Sequence, residues 1–266
     1  MTRAKAPELA FQSPSKILWV GSGKGGVGKS TVATNLACAM AALGRSVRLI
    51  DCDFQGPSIT TLMGVRQLSP PLETDGKKRV IHPFYKYGVH FLSMGNLVEE
   101  HTAIQWRGPM MQKALERFFI EVKWPECEWT VIDLPPGTGD VPMALAQLLG
   151  PALSVLVTTP QELALQDAFR AAHSWHQLGT SITAVVENMS GFEEGYSIPA
   201  LPPLFGASKL KDLQERLCTP LAIRVPFVFG IREMEEIGCP LAFKGKQTAP
   251  WFFELAQQLI AQIEEC

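Results

Sequence analysis

Short apolar runs recur along the chain and alternate with stretches of helical periodicity. Each run is almost continuously apolar, which is typical of strands that are buried on both faces of a parallel sheet. The predicted strands span residues 16–20, 46–51, 89–94, 129–134, 153–159 and 181–188. Their alternation with helices predicts right-handed crossovers and a doubly wound α/β fold, in which helices flank both faces of a mostly parallel sheet.

The predicted helices carry their apolar residues on one face. In the first helix these residues are Val32, Leu36, Met40 and Leu43. Further helical patterns span residues 109–122, 162–177, 208–217 and 249–263. Two segments rich in Pro together with Lys or Gly, residues 68–87 and 191–206, are expected to be loops.

Length and composition suit one large domain. The chain has 266 residues, of which 46% are hydrophobic, enough for a sizeable core. Residues 1–15 are polar and rich in Ala, Pro and Ser, so we expect a flexible N-terminal tail. Residues 16–266 contain no repeat, long linker or low-complexity tract, and we expect them to form a single domain.

A glycine-rich motif lies between the first predicted strand and the first predicted helix. Residues 23–30 match the phosphate-binding pattern G-x-x-x-x-G-K-[ST]. Its glycines let backbone N–H groups point at phosphate oxygens, and the start of the helix favours an anion. We expect Lys29 to reach the β- and γ-phosphates of ATP and Ser30 to bind Mg²⁺. The other predicted nucleotide-binding positions of this loop are Gly23, Gly25, Gly26, Val27 and Gly28. The alternative is a flexible turn without a ligand.

Acidic residues follow two of the predicted strands. Asp51 and Asp53 end the second strand, and Asp133 ends the strand "VIDL". Because the carboxyl ends of parallel strands meet at the ligand crevice, we expect all three near the phosphates. Asp133 is predicted to hold Mg²⁺ through water, and Asp53 to orient the attacking water and contribute to the Mg²⁺ site. The alternative for Asp53 is an acid that caps the next turn, and Asp51 is open to either role.

The motifs resemble a known family. "GKGGVGKST", with its lysine at position 24, resembles the deviant Walker A motif of the MinD/ParA/nitrogenase-iron-protein class. Within that class, "DCDFQGPSI", "WRGPM", "DLPPGTGD", "TTPQ" and "VENMS" together resemble the Mrp-type (ApbC-like) ATPases, which are iron–sulfur cluster carrier proteins. The resemblance runs from about residue 16 to the C-terminus. It implies a P-loop ATPase domain that acts in iron–sulfur cluster carriage and assembly.

The resemblance also implies roles for individual residues. Lys24 would cross a two-fold interface to the phosphates of the partner subunit, whereas Lys29 would act within its own subunit. ATP hydrolysis would then be slow and dependent on dimerisation, with Lys24, Lys29 and Asp53 as catalytic residues. Thr31 would contact the α-phosphate and Asn188 the adenine. The residues alone favour a turn-forming role for Asn188.

The resemblance alone also assigns roles to two switch segments and to Arg107. Asp53 would lie in switch I and residues 133–140 would form switch II. Arg107, in "WRGPM", would lie near the dimer face or a switch. A solvated surface residue is the alternative for Arg107, and we do not count it as catalytic.

The cysteines depart from the family pattern. Family members usually carry C-x-x-C in the loop after "ENMS", so that two copies supply four thiolates to one [4Fe–4S] cluster. Here that loop, residues 191–206, contains no cysteine. The chain's cysteines, which form no C-x-x-C pair, stand at positions 38, 52, 127, 218, 239 and 266. We identify no cluster ligands in this chain. A role in iron–sulfur cluster assembly then implies one of two forms: a homodimer that regulates assembly, or a heterodimer with a related C-x-x-C ATPase. In either form the clients would be iron–sulfur apoproteins.

Charge and hydropathy argue against nucleic acid and membrane partners. The formal net charge is −2, and the basic clusters at residues 77–79 and 209–211 are too short for a DNA-binding surface. The polar face of the last helix carries Glu and Gln without the basic residues that an interfacial helix needs. Without an apolar N-terminal segment or paired cysteines, we expect a cytoplasmic protein with reduced thiols.

Three alternatives share the same nucleotide chemistry. One is a MinD/ParA-type positioning or regulatory ATPase switch without a cluster. Another is a nitrogenase-like electron carrier, which the absence of cysteines around residues 133–140 disfavours. The third is a nucleotide-binding scaffold without turnover.

Overall fold

The computed structural model describes residues 15–264, except for 55, 67, 76–77, 97–107, 193–204 and 229. The predicted tail lies almost wholly outside these residues. The described strands, in chain order, are β1 (Lys16–Ser22), β2 (Val47–Asp51), β3 (Leu72–Asp75), β4 (Lys78–Ile81), β5 (Phe84–Lys86), β6 (Val89–Ser93), β7 (Trp129–Asp133), β8 (Leu153–Thr158), β9 (Ser181–Glu187) and β10 (Leu221–Arg224). The described α-helices are α1 (Lys29–Ala42), α2 (Ile59–Leu62), α3 (Gly108–Glu121), α4 (Asp140–Leu149), α5 (Glu162–Gln177), α6 (Leu210–Leu217), α7 (Ile231–Glu236) and α8 (Pro250–Glu264). Two 3₁₀ turns span Met94–Asn96 and Leu241–Lys244.

Eight of the strands form one sheet in the order β10-β9-β8-β1-β7-β2-β6-β5. Every neighbouring pair is parallel except for β5 and β6 at one edge. All six predicted strands are present, and the predicted parallel sheet is confirmed. Strands β2 and β7 are buried along their whole length, which explains why their sequences lack polar alternation.

Helices cover both faces of the sheet, as predicted. Leu18 and Val20 of β1 pack on the face that α1 and α8 cover, whereas Trp19 packs on the opposite face with α3, α4, α5 and α6. This division follows from the alternation of side chains along a strand. Among the described helices, none combines the length and the apolarity that crossing a bilayer requires.

One predicted loop is wrong. Residues 68–87 contain the antiparallel pair β3–β4 and the edge strand β5. These strands are short and lie at the surface, where Leu72 and Tyr85 remain exposed. Because no described side chain of these strands is fully buried, their sequence lacks the hydrophobic alternation from which a strand is predicted. The prediction also missed β10 and the helices α2, α4 and α7. Of the second predicted loop, residues 193–204 lie outside the described part.

The sheet order brings the predicted site together. Strands β1, β7 and β2 are adjacent, so Asp133 pairs in register with Val20 on one side and with Asp51 on the other. The glycine-rich loop leaves the carboxyl end of β1 at the same edge of the sheet. The phosphate loop and the acids predicted from separate segments therefore share one crevice.

Candidate nucleotide-binding site

The glycine-rich loop ends in an open helix N-terminus. Gly26 and Gly28 have φ angles of 80° and 83°, a left-handed conformation that favours glycine. Gly28 directly precedes α1, which has no side-chain cap and no acidic residue in its first turn. The backbone N–H groups at the start of α1 are therefore available to an anion, and the helix dipole favours negative charge there.

Close packing from other elements fixes the shape of the loop. A Cβ on Gly23 would overlap the backbone of Asp167 in α5, and a Cβ on Gly28 would overlap the side-chain amide of Asn188. That amide donates a hydrogen bond from Nδ2 to the carbonyl oxygen of Val27, with a length of 2.8 Å. Asn188 thus supports the backbone of the loop at Val27, and its role in binding adenine stays a prediction.

The loop borders a cavity of about 330 Å³. The predicted site residues that line it are Lys24, Gly25, Gly26, Gly28, Lys29, Ser30, Thr31 and Asp53. The other predicted site residues do not line the cavity. Val27, Asp133 and Asn188 are buried, and Gly23 packs against Asp167. Residues from widely separated segments thus converge on a space suited to the phosphates of a nucleotide.

Lys29 is buried at the floor of this cavity and forms an ion pair. Its Nζ lies 2.6 Å from Asp133 Oδ1 and 3.7 Å from Asp53 Oδ2. It also donates a hydrogen bond of 3.1 Å to the hydroxyl of Ser30. Both carboxylates balance the charge of Lys29, as a buried ammonium requires.

Two acids of the site have raised pKa values. Complete burial raises the pKa of Asp133, and the adjacent ammonium of Lys29 works against this effect. Burial, followed by the charge of Asp133, raises the pKa of Asp51 to about 7. In both cases, loss of hydration disfavours the charged form.

Asp51 holds the segment that follows β2. One of its oxygens accepts a hydrogen bond of 2.9 Å from the backbone N–H of Asp53. The other accepts bonds from the N–H of Ile59 (3.3 Å) and the hydroxyl of Ser93 (2.9 Å). Asp51 therefore positions Asp53 and the start of α2, and it does not line the cavity.

The residues present fit a divalent cation that arrives with phosphate. Asp133 Oδ2 is buried and has no hydrogen-bond partner among the described residues. The hydroxyl of Ser30 and the carboxylate of Asp53 line the adjacent cavity. Within the described segments, no group of three or more His, Cys, Asp or Glu side chains could hold a metal ion by itself. This set suits Mg²⁺, which usually takes one or two carboxylates together with substrate phosphates.

Lys24 lies at the rim of the cavity. Its Nζ donates a hydrogen bond of 3.0 Å to Oε1 of Gln161, the residue that precedes α5. This contact holds the lysine beside α5. Gln161 belongs to the sequence motif "TTPQ", but sequence reasoning did not single it out as a contact.

Glu235 is a site residue that sequence reasoning missed. It lines the cavity from α7 and accepts a hydrogen bond of 2.6 Å from the hydroxyl of Thr31. Burial raises the pKa of Glu235, and the bond from Thr31 works in the opposite direction. No sequence motif could have revealed it, because 204 residues separate the two positions and α7 was not predicted.

The described cysteines are free thiols. Cys38, Cys52 and Cys127 are buried, Cys218 is exposed and Cys239 is half-buried. Burial, followed by the charge of Cys239, raises the pKa of Cys38 to about 12, which is typical of an inert thiol.

Three of the sequence predictions lie outside the described residues. These concern Arg107, Cys266 and residues 193–204 of the loop that carries the family's cysteines.

A phosphate loop that joins the first strand of a doubly wound parallel sheet to an open helix N-terminus is the defining feature of the P-loop NTPases. The family model of the NUBPL iron-transfer P-loop NTPases (ParA) matches residues 13–263. The chain belongs to this family, which confirms the predicted resemblance.

Curated relatives include the iron–sulfur cluster transfer protein NUBPL of Mus musculus, which is 34% identical over 99% of this chain and 82% of its own length. The iron–sulfur cluster carrier protein of Deinococcus radiodurans is 38% identical over 99% of this chain and 74% of its own length. The carrier protein of Escherichia coli K12 is 36% identical over 93% of this chain and 66% of its own length. The chain therefore spans only part of each relative.

Solved structures show the same fold. A nucleotide-binding protein from Archaeoglobus fulgidus, in complex with ADP and with cobalt found, is 29% identical with a TM-score of 0.72, covering 90% of this chain and 91% of that one. The septum site-determining protein MinD from Pyrococcus horikoshii, complexed with Mg-ADP, has a TM-score of 0.60 at 22% identity, covering 92% and 96%. The likeness to MinD concerns the fold alone.

Proposed function

We propose that this chain binds ATP with Mg²⁺, hydrolyses it slowly as a dimer, and acts in iron–sulfur cluster carriage. The observation that carries the ATPase proposal is the buried Lys29, which lies with Asp133 and Ser30 at the floor of the cavity, beside the open N-terminus of α1. This arrangement offers phosphate oxygens one ammonium and several N–H groups at once.

Within this proposal, Lys29 turns from Asp133 towards the β- and γ-phosphates when ATP binds. Mg²⁺ would be held by Ser30, Asp53 and Asp133, and it would neutralise part of the phosphate charge. Asp53 also orients a water molecule for in-line attack on the γ-phosphorus. The bond from the γ-phosphorus to its bridging oxygen breaks, ADP leaves, and the proton of the water leaves with the released phosphate.

Three contacts with ATP complete the proposed site. Thr31 donates to the α-phosphate, and Asn188, which braces the loop beside Val27, contacts the adenine. Lys24 reaches the phosphates of the partner subunit. Its position at the cavity rim, on a hydrogen bond to the neutral Gln161, supports this role because the lysine is not committed to a buried ion pair.

Phosphate release tests the ATPase proposal. We expect the wild-type dimer to release phosphate slowly from ATP, and Asp53→Ala to bind ATP but to lose at least about 100-fold in rate. Binding of ATP by the wild type without any phosphate release would instead identify a nucleotide-binding scaffold.

The cluster role rests on the names of the relatives and is limited by the cysteines. Two described thiols, Cys38 and Cys52, are deeply buried, and none of the described cysteines joins a group of three or more potential metal ligands. A bridging four-iron cluster takes four thiolates, or two per subunit. We therefore propose that the chain supplies the ATP cycle, while a related C-x-x-C ATPase in a heterodimer supplies two thiolates and an apoprotein client supplies the other two. The free thiols support a cytoplasmic location.

Iron and acid-labile sulfide per subunit, measured after anaerobic reconstitution, test the cluster role. We expect no stoichiometric cluster on the pure chain, and about two irons per subunit on an isolated heterodimer with a related C-x-x-C ATPase once an apoprotein client completes the four thiolates. About two irons per subunit on the pure chain would refute the heterodimer version. No cluster in either sample would favour the second candidate, a MinD/ParA-type regulatory switch, to which the absence of C-x-x-C already points.

A further inference from the structure

The hydroxyl that is proposed to bind the α-phosphate already has a partner. Thr31 Oγ1 donates a hydrogen bond of 2.6 Å to Glu235 Oε1. Thr31 lies in the first turn of α1, directly after Ser30, and Glu235 lines the same cavity from α7. A carboxylate therefore occupies part of the space beside the anion-binding helix N-terminus.

The backbone around α7 holds this carboxylate in place. Gly230 before the helix and Gly238 after it both have left-handed φ angles, of 79° and 67°, which set sharp turns at the two ends. The carbonyl of Gly238 accepts a hydrogen bond of 2.7 Å from Tyr87, and Gly238 packs so closely on Gly64 that a Cβ would overlap its backbone. The C-terminal end of α7, near Glu235, is thus anchored to the body of the domain.

The side chain of Glu235, in contrast, is free to leave. The residue is half-buried, and α7 contacts the core through Ile231 and Met234, so rotation of the Glu235 side chain towards solvent leaves those core contacts in place. The charged groups that line the same cavity are Lys24, Lys29 and Asp53. The helix α2, which packs against α7, carries no charged residue. On α7 itself, the remaining charges are exposed and belong to Arg232, Glu233 and Glu236.

An α-phosphate and the Glu235 carboxylate compete for the same hydroxyl and repel each other. Each is an acceptor for Thr31, which has a single proton to donate. Two anions that share one hydroxyl also disfavour each other electrostatically. Nucleotide binding at this site therefore requires the carboxylate to move away or to be neutralised.

We propose that Glu235 is a gate residue: it closes the α-phosphate position by binding Thr31, and nucleotide binds only after displacing it. This inference rests on the proposed function. It makes Glu235 a residue that lowers nucleotide affinity, so that empty chains stay empty at low nucleotide concentration. A residue that merely supported the fold would have the opposite effect when removed.

Calorimetric titration with Mg-ADP tests the gate in three variants. Glu235→Ala removes both the charge and the acceptor, and we expect it to bind ADP at least about tenfold more tightly than the wild type. Glu235→Gln removes the charge but keeps an acceptor for Thr31, so its affinity should lie between the two. Glu233→Gln removes the same charge from an exposed position on α7 and should match the wild type within about twofold.

Each outcome decides the question. Unchanged affinity in Glu235→Ala, with the melting temperature preserved, would overturn the gate. Weaker affinity would also overturn it, because Glu235 would then be a nucleotide ligand. Binding by Glu235→Ala with none by the wild type would support the gate in its strongest form. If no variant binds ADP, the proposed nucleotide function fails and the gate fails with it.

Discussion

Lys29 Nζ lies 2.6 Å from Asp133 Oδ1, and both side chains are buried, with exposed fractions of 7% and 0%. Lys29 lines the proposed phosphate site, and Asp133 lies directly behind it. Asp133, the proposed metal ligand, therefore positions Lys29, the proposed phosphate ligand, at the site. The same pair also links the phosphate loop to the centre of the sheet.

Removing the charge of Asp133 should destabilise the nucleotide-free chain. In Asp133→Asn, the remaining anionic partner of Lys29 is Asp53 at 3.7 Å, and we expect a loss of about 3 kcal/mol in the free energy of unfolding. Urea denaturation measures this loss. Asp212→Asn, in an exposed ion pair on α6, serves as the control and should cost less than about 1 kcal/mol. Equal losses in the free energy of unfolding for the two substitutions would show that the buried ion pair stabilises the chain no more than the exposed one.

The raised pKa of Asp51 predicts a pH dependence of stability. Between about pH 4 and pH 7, folded Asp51 keeps a proton that the unfolded chain has released. Its contribution to stability is therefore complete below about pH 4 and is lost as the pH rises through about 7. From pH 5 to pH 8, the wild type should lose roughly 2–3 kcal/mol more than Asp51→Asn in urea denaturation. Parallel losses in the two proteins would show that Asp51 does not carry this proton.

Two glycines of the same loop should respond differently to alanine. Gly23→Ala places a methyl group in the backbone of Asp167 and should cost more than about 2 kcal/mol of stability. Gly25→Ala meets nothing closer than Pro136 Cγ at 4.0 Å and has no left-handed φ, so it should cost less than about 1 kcal/mol. Thermal unfolding without nucleotide measures both. Similar losses would mean that α5 does not constrain the loop at Gly23.

Local sequence patterns predicted the centre of this site. Residues 23–30 form one contiguous motif, and Asp51, Asp53 and Asp133 follow strands whose unbroken apolarity marks them as central in a parallel sheet. Once the sheet is doubly wound, the meeting of these residues follows from topology alone. The six predicted strands and the helices on both faces came from the same periodicity.

The contacts that sequence could not predict are long-range and depend on side-chain placement. Glu235 reaches Thr31 from a six-residue helix in which no residue is fully buried, and a helix this short shows no clear hydrophobic periodicity. Gln161 meets Lys24 across 137 residues of sequence. The strands within residues 68–87 escaped prediction because a surface hairpin with polar residues has little hydrophobic alternation.

Mixing two inactive variants tests most directly whether Lys24 of each subunit acts at the nucleotide site of its partner. Lys24→Ala is expected to bind ATP but not to hydrolyse it, and Asp53→Ala is expected to lack the residue that orients water. In a mixed dimer, the Lys24→Ala subunit keeps its own Asp53 and receives Lys24 from its partner, which restores one of the two sites. An equal mixture should therefore recover about a quarter of the wild-type rate of phosphate release. If the mixture stays inactive although mixed dimers form and the wild-type dimer is active, Lys24 acts within its own subunit and the proposed dimeric mechanism is wrong.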